Sequence, residues 1–204
     1  MQQKFSKKTS GSFFIILFFL VLAGCYTAKE PLYKSETFNQ EKINTICVLP
    51  VVDLRFDKKK ELRKLDKWVH EIVEDKLKDK KYECELISDR DLVNKMTEED
   101  VKSINPEWIK TLGPSCSRYV MLIALWDARS KLTFGSTGNA EVSLYLFDKQ
   151  NGITIWKDKD IAQVGAWGIT GMFLKGSMLG DAVKETIRQM MTNFPKKDIK
   201  MQNQ

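Results

Sequence analysis

Residues 140–164 constrain this chain more than any other stretch. AEVSLYLFD (140–148) alternates apolar and polar residues, KQNG follows, and ITIWKDKDIAQV (153–164) resumes a strand pattern. Asn-Gly between two such segments is a strong hairpin signal, because the tight turn needs residues that tolerate positive φ. Asp148 opens the turn and Gly152 closes it. Just upstream, YVMLIALWD (119–127) is continuously apolar and predicts a buried strand. The centre of the fold is therefore an antiparallel meander, which excludes an all-helical bundle.

Helical periodicity surrounds that meander. Leu62, Leu65, Val69, Ile72, Val73 and Leu77 recur at three- and four-residue steps and give one apolar stripe with charge elsewhere. This helix sits between INTICVLPVV (43–52), rich in β-branched residues, and the short strand YECELI (82–87). Two strands joined through a helix predict a parallel pair with a right-handed crossover. Ser88-Asp89 caps a following helix, Thr97-Glu98-Glu99-Asp100 resembles a capping box, and Asn105-Pro106-Glu107 starts a short helix ending at Gly113. A last amphipathic helix runs over about 177–193 and stops at Phe194-Pro195. The expected fold is α/β (α+β), a single mixed sheet in the order β-α-β-α-α-β-β-β-α, with helices mainly on one face.

The amino terminus is of a different kind. Lys4, Lys7 and Lys8 precede the apolar run FFIILFFLVLA (13–23), and no acid falls in residues 1–24. A bilayer-spanning helix needs about 20 apolar residues, so this shorter run reads as a signal peptide, 1–24, that is removed. Leu22-Ala23-Gly24-Cys25 ends it and looks like the lipobox of bacterial lipoproteins. In that chemistry the Cys25 thiol forms a thioether to diacylglycerol and the new amine is acylated, leaving the chain held by two or three acyl chains. Each buried methylene contributes about 0.8 kcal/mol, so the anchoring is stable. Residues 25–42 then serve as lipidated cysteine and flexible tether, 43–194 as the α/β domain and 195–204 as a polar tail. Tyr26 after the cysteine favours the outer membrane by that same likeness, facing the periplasm.

Composition removes several function classes. The formal charge of +6 falls to about +3 without Lys4, Lys7 and Lys8. Basic and acidic residues are interspersed, with no basic stripe carrying interleaved aromatics, so no nucleic-acid partner is expected. Cys47, Cys84 and Cys116 remain after lipidation, without a Cys-x-x-Cys pair and with His70 the only histidine. No metal and no cofactor are expected. Which two cysteines, if any, pair in an oxidising compartment stays open; the default is buried cysteine acting as a small hydrophobe. His70, Asp53 and Asp127 are the candidates for general acid–base work, but each has a plainer reading. His70 lies on a charged helix surface, and the two aspartates end apolar strands. No nucleophile-elbow serine accompanies them, so no catalytic residue is assigned.

The glycine-rich stretch GAWGITGMFLKGSMLG (165–180) matches neither G-x-G-x-x-G nor a Walker loop. Trp167, Met172, Phe173 and Leu174 suit a protein or lipid surface better than a polyanion. A loop folding back over the core is the alternative. Gly176-x-x-x-Gly180 would also permit close helix packing between subunits.

Taken together, LAGC, the tether, INTICVLPVVD, LGPSCSRYVMLIALWD and the Asp148…Gly152…Trp156 hairpin resemble a group of bacterial envelope lipoproteins. The group includes the curli-secretion lipoprotein, the amino-terminal domain of TolB, the lipoprotein activator of penicillin-binding proteins and a related uncharacterised lipoprotein family, which is the nearest in layout. Ser115-Cys116-Ser117 stands where relatives typically have Gly-Ala-Asp. The resemblance implies a non-catalytic, lipid-anchored scaffold or protein-binding component of envelope assembly or secretion, its partner an envelope protein. The alternative it carries is a homo-oligomeric, curli-type export channel subunit. Lys157, Asp158, Lys159 and Asp160 on the hairpin speak against a lipid-facing strand.

Overall fold

Pro50 breaks the first buried strand. The 43–52 segment, expected as one strand, forms β2 (Thr45–Val48) and β3 (Val52–Asp53), with Leu49, Pro50 and Val51 between them. Proline has no amide to donate to a ladder, so the path is interrupted and resumes. Both pieces pair in parallel with the same neighbour, β5 (Tyr119–Thr133), through Cys47 to Val120 and Val52 to Ala124. The computed structural model describes residues 30–39, 42–56, 65–133, 135–167 and 175–197, with backbone alone at 132–133, 135–136, 166–167 and 175–177.

The predicted crossover is present. Helix α1 (Leu65–Asp79) buries Leu65, Val69, Val73 and Leu77 and leads to β4 (Glu83–Leu86), which pairs in parallel with β2. Leu62 lies outside the described residues. Three short helices follow: α2 (Asp91–Asn94), α3 (Glu98–Lys102) and α4 (Pro106–Thr111). At α3 the capping box is complete, with the Asp100 amide donating to the Thr97 hydroxyl and the Thr97 amide donating to the Asp100 carboxylate at 2.8 Å. At α4 the Trp108 amide donates to Asn105 Oδ1 at 3.0 Å, and Pro106 occupies the first turn, where its missing amide costs nothing.

The meander is longer than the sequence suggests. Strands β5, β6 (Gly135–Asp148) and β7 (Ile153–Trp167) run antiparallel, with one register shift between Leu125 and Asp127 in the β5–β6 pair and another between Leu146 and Phe147 in the β6–β7 pair. Residues 128–133 and 135–139, which carry no apolar alternation, are nonetheless paired, out to Thr133 opposite Gly135. Within the segment expected as tether, β1 (Tyr33–Lys34) adds to β7 beside Lys157 and Trp156, and Phe38 is buried. The seven strands make one mixed sheet in the order β1-β7-β6-β5-β2-β4, with β3 also on β5.

Strand alternation divides the core. Tyr119, Met121, Ile123 and Leu125 face one cluster, where α1 and the last helix, α5 (Lys175–Asn193), pack. Val120, Leu122 and Ala124 face a second cluster closed by Val93, Val101, Ile109 and Leu112 of the short-helix segment. The two long helices thus share one face, as expected, and the short helices cover part of the other. At the end of α5, Phe194 makes edge contacts with Trp156 at 4.9 Å, Tyr82 at 5.6 Å and Phe38 at 6.0 Å, tying the amino-terminal segment to the helix end.

The hairpin turn after β6 needs its glycine. Gly152 has φ +66, and a β-carbon there would lie 3.0 Å from the Pro106 carbonyl oxygen at the start of α4. Gly152→Ala should cost about 1–2 kcal/mol of stability, read by urea denaturation. An unchanged midpoint would mean that the turn adapts.

Candidate functional site

The acid–base candidates each hold a structural position. Asp53 accepts from Arg55 Nε and Nη2, both at 2.7 Å, and Arg55 is itself buried. This pairing fixes the chain just past β3. Asp127 pairs with Arg129 two residues on, at 2.8 Å, on the solvent side of the β5 bulge. His70 departs from the expected surface position: it is buried, with Nε2 3.2 Å from the Leu49 carbonyl oxygen. The reason is local. Pro50 leaves the Leu49 carbonyl at the edge of the broken strand, and His70, next to Val69 in the buried stripe, reaches it. One turn earlier Asp66 accepts from the Val51 amide at 2.9 Å and from Arg90. Each of these groups therefore serves the β2–β3 break or a strand end. Among the described residues no group of three or more His, Cys, Asp or Glu side chains is placed to hold a metal.

Cys47, Cys84 and Cys116 are free thiols. Burial pushes the Cys84 thiol up to about 12, with Glu74 adding to the effect. Burial likewise raises Cys47, against a bond from Ser117 that lowers it. Raised thiols are poor nucleophiles, which agrees with cysteine as a small core residue at both positions. Cys47 and Cys116 border a cavity of about 340 Å³ with Asn44, Glu85 and Arg118.

The polar centre of the hairpin is Asp148, fully buried. Its carboxylate accepts from Arg118 Nη2 at 2.7 Å, from the Gln150 amide at 3.0 Å and from Asn151 Nδ2 at 2.8 Å. Burial alone would raise this carboxyl, but the Arg118 and Asn151 bonds outweigh it and hold it below the usual carboxylate range. The sequence marks Asp148 as a turn residue; Arg118, thirty positions earlier, carries no signal that it is the partner.

The glycine-rich stretch is flanked in the chain by β7 and α5. Cys25, Met172, Phe173 and Leu174 lie outside the described residues, and Trp167 closes β7 opposite Gly135 with backbone alone described. Beyond Lys157, β7 is the outer strand among the described residues. The Ser35 amide bonds the Ile155 carbonyl, so every second residue of β7 from there turns its backbone outward. Two of those outward amides are occupied by side chains: Lys159 donates to Asp158 Oδ1 at 2.9 Å and Ile161 to Asp160 Oδ1 at 3.0 Å. Charged residues that occupy edge amides blunt strand addition, so contact with a partner at this edge falls to side chains. Ile161, 62% exposed, is the apolar residue there. α5 reaches the same end of the sheet, where the Gly138 Cα lies against the Met178 backbone. Gly180, half of the small-residue pair in α5, packs on Trp68 of α1 within the chain.

No protein-family model matches the chain, and no curated protein matches it. Similar solved structures include lipoprotein GNA1162 from Neisseria meningitidis, at 14% identity and TM-score 0.45 over 73% of this chain and 99% of that one. The PelC dodecamer from Paraburkholderia phytofirmans is similar at 14% identity and TM-score 0.41, over 72% and 87%. The LpoB C-terminal domain from Salmonella enterica is similar at 14% identity and TM-score 0.36, over 59% and 82%.

Proposed function

We propose that this chain is an envelope lipoprotein, lipidated on Cys25 after removal of residues 1–24, whose α/β domain faces the periplasm from the outer membrane and binds an envelope protein without catalysis. The observation that carries this reading is the succession of a cationic start, a short apolar run and Leu22-Ala23-Gly24-Cys25. The individual structural positions of Asp53, Asp127 and His70 support the non-catalytic part. The partner-binding residues in this reading are Trp167, Met172, Phe173 and Leu174, from the segment that joins β7 to α5. The export-channel alternative gains no support from β7, whose Lys157, Asp158, Lys159 and Asp160 would be costly against lipid.

Cys25→Ser is expected to move the protein from the membrane to the soluble fraction of the envelope and to abolish incorporation of labelled palmitate. Retention of label in that variant would sink the anchor assignment. For the surface, crosslinked partners are to be recovered from membranes with the wild-type chain and with Trp167→Ala/Phe173→Ala. Loss of recovery in the double variant is the expected result, and equal recovery would move the contact elsewhere.

A further inference from the structure

The short helices leave part of the sheet bare on their face, and a cleft of about 480 Å³ opens there. One wall is α3, through Glu98, Val101 and Lys102; the floor and the opposite wall come from Trp126, Glu141, Ser143, Tyr145, Lys157 and Lys159 on three adjacent strands. Such a volume is in the range of small-ligand sites, about 300–1,000 Å³.

The floor is held in place. Trp126 Nε1 donates to the Ser143 hydroxyl at 2.8 Å, and both Ser143 and Tyr145 are buried. Tyr145 stacks on Phe147 at 5.8 Å, which fixes its ring from beneath. Fixing the indole by its polar edge leaves as the recognition element its ring surface, over which the flexible Lys102 and Lys159 ammonium groups stand.

The rim is amphoteric. The ammonium groups of Lys102 and Lys159 each stand 6.0 Å from the Trp126 ring centre, and Lys157 stands 5.0 Å from that of Tyr145. Glu98 pairs with Lys102, and Glu141 with Lys159 at 2.5 Å. No described carboxylate pairs with Lys157. Three ammonium groups against two carboxylates leave one net positive charge, on the Lys157 side. Pairs as exposed as Glu98–Lys102 contribute little stability of their own, so they can open to a ligand.

This combination selects among ligands. Two carboxylates in the cleft repel a polyanion, which disfavours an acidic peptide or a polyphosphate. An aromatic surface binds the C–H side of a ring, glutamates accept from hydroxyl groups, and lysines donate to them. The one surplus charge matches a single carboxylate. From this geometry we infer that the cleft binds an acidic saccharide, a sugar ring resting on Trp126 with its carboxylate at Lys157 and its hydroxyl groups shared among Glu98, Glu141 and Lys159. The cleft lies on the face of the sheet opposite α5, and its success or failure is independent of the anchor and of the protein partner.

The test is calorimetric titration of the full chain in detergent at physiological salt. The probes are a tetrasaccharide with a single uronic-acid residue among neutral sugars, the fully neutral tetrasaccharide and hexaglutamate. The wild-type protein should bind the uronic-acid probe at least about tenfold more tightly than either of the others. Lys157→Ala and Trp126→Ala should each weaken that binding by about tenfold. If Trp126→Ala melts early in circular dichroism, Trp126→Phe takes its place and should bind within about threefold of wild type, the ring being kept. No binding of the uronic-acid probe would overturn the inference. So would unchanged affinity in Lys157→Ala, or hexaglutamate binding as tightly as the sugar, which would make the cleft a site for acidic peptides.

Discussion

Gly138→Ala is expected to be the most damaging single-methyl change in the described fold, costing about 3 kcal/mol or more. A β-carbon at Gly138 would lie 2.2 Å from the Met178 carbonyl oxygen and 2.6 Å from its carbon. Both are backbone atoms of α5, so no side chain can rotate away. The helix itself must move, and it carries Leu179, Ala182, Val183, Ile187, Met190 and Met191 into the main core. Overpacking of this kind typically costs about 1–3 kcal/mol where side chains absorb it; backbone contact places Gly138 at or above the upper end. Urea denaturation followed by far-ultraviolet circular dichroism reads the effect. A loss below that expected for Gly152→Ala would show that α5 slides freely over β6, contrary to the packing described.

Asp148→Ala should lose about 3 kcal/mol at neutral pH, by a different route. The side chain packs little apolar surface, but its removal takes from Arg118 and the 150–151 amides the buried carboxylate to which they donate. Hydrogen bonds to a charged group contribute about 1.5–3 kcal/mol each, and the exposed donors, with Arg118 40% exposed, recover part of that from water. The pH dependence gives a second signature. The folded-state carboxyl lies below its ordinary value, so its stabilising contribution is complete above the unfolded pKa of about 3.9. That contribution is lost as the pH falls through the folded value. The wild type should therefore lose stability below about pH 4, and Asp148→Ala should show a shallower acid slope. Parallel acid slopes for the two proteins would contradict this assignment of the pair.

What the sequence made legible was periodic or local. The stripe through Leu65, Val69, Val73 and Leu77, the Thr97 and Asn105 caps, and the Asp148…Gly152 turn are each specified within a few residues, and each is present. What it hid depends on distant partners. Residues 128–133 and 135–139 are mostly polar or glycine, yet they are paired because β7 and α5 lie beside this part of the sheet. His70 looked solvated because its acceptor, the Leu49 carbonyl, is supplied by a strand broken at Pro50. The acidic-saccharide cleft has a trace in the sequence: Ser143 and Tyr145, then Lys157 and Lys159, share a parity and so a face. Nothing in that alternation says that α3 stops short and leaves the face open.

Two of these features bear on function in different ways. Asp158 and Asp160 occupy the outward amides of β7, so the edge resists joining another strand. Under the proposed function, a partner at that edge would meet side chains, and the Cys25 anchor would set where the encounter takes place. The most direct test of that account is mass spectrometry of the amino-terminal peptide from protein purified out of membranes. The expected peptide begins at Cys25, with a thioether-linked diacylglycerol and an acylated amine. A peptide containing residues upstream of Cys25, or one beginning at Cys25 with an unmodified thiol, would contradict it.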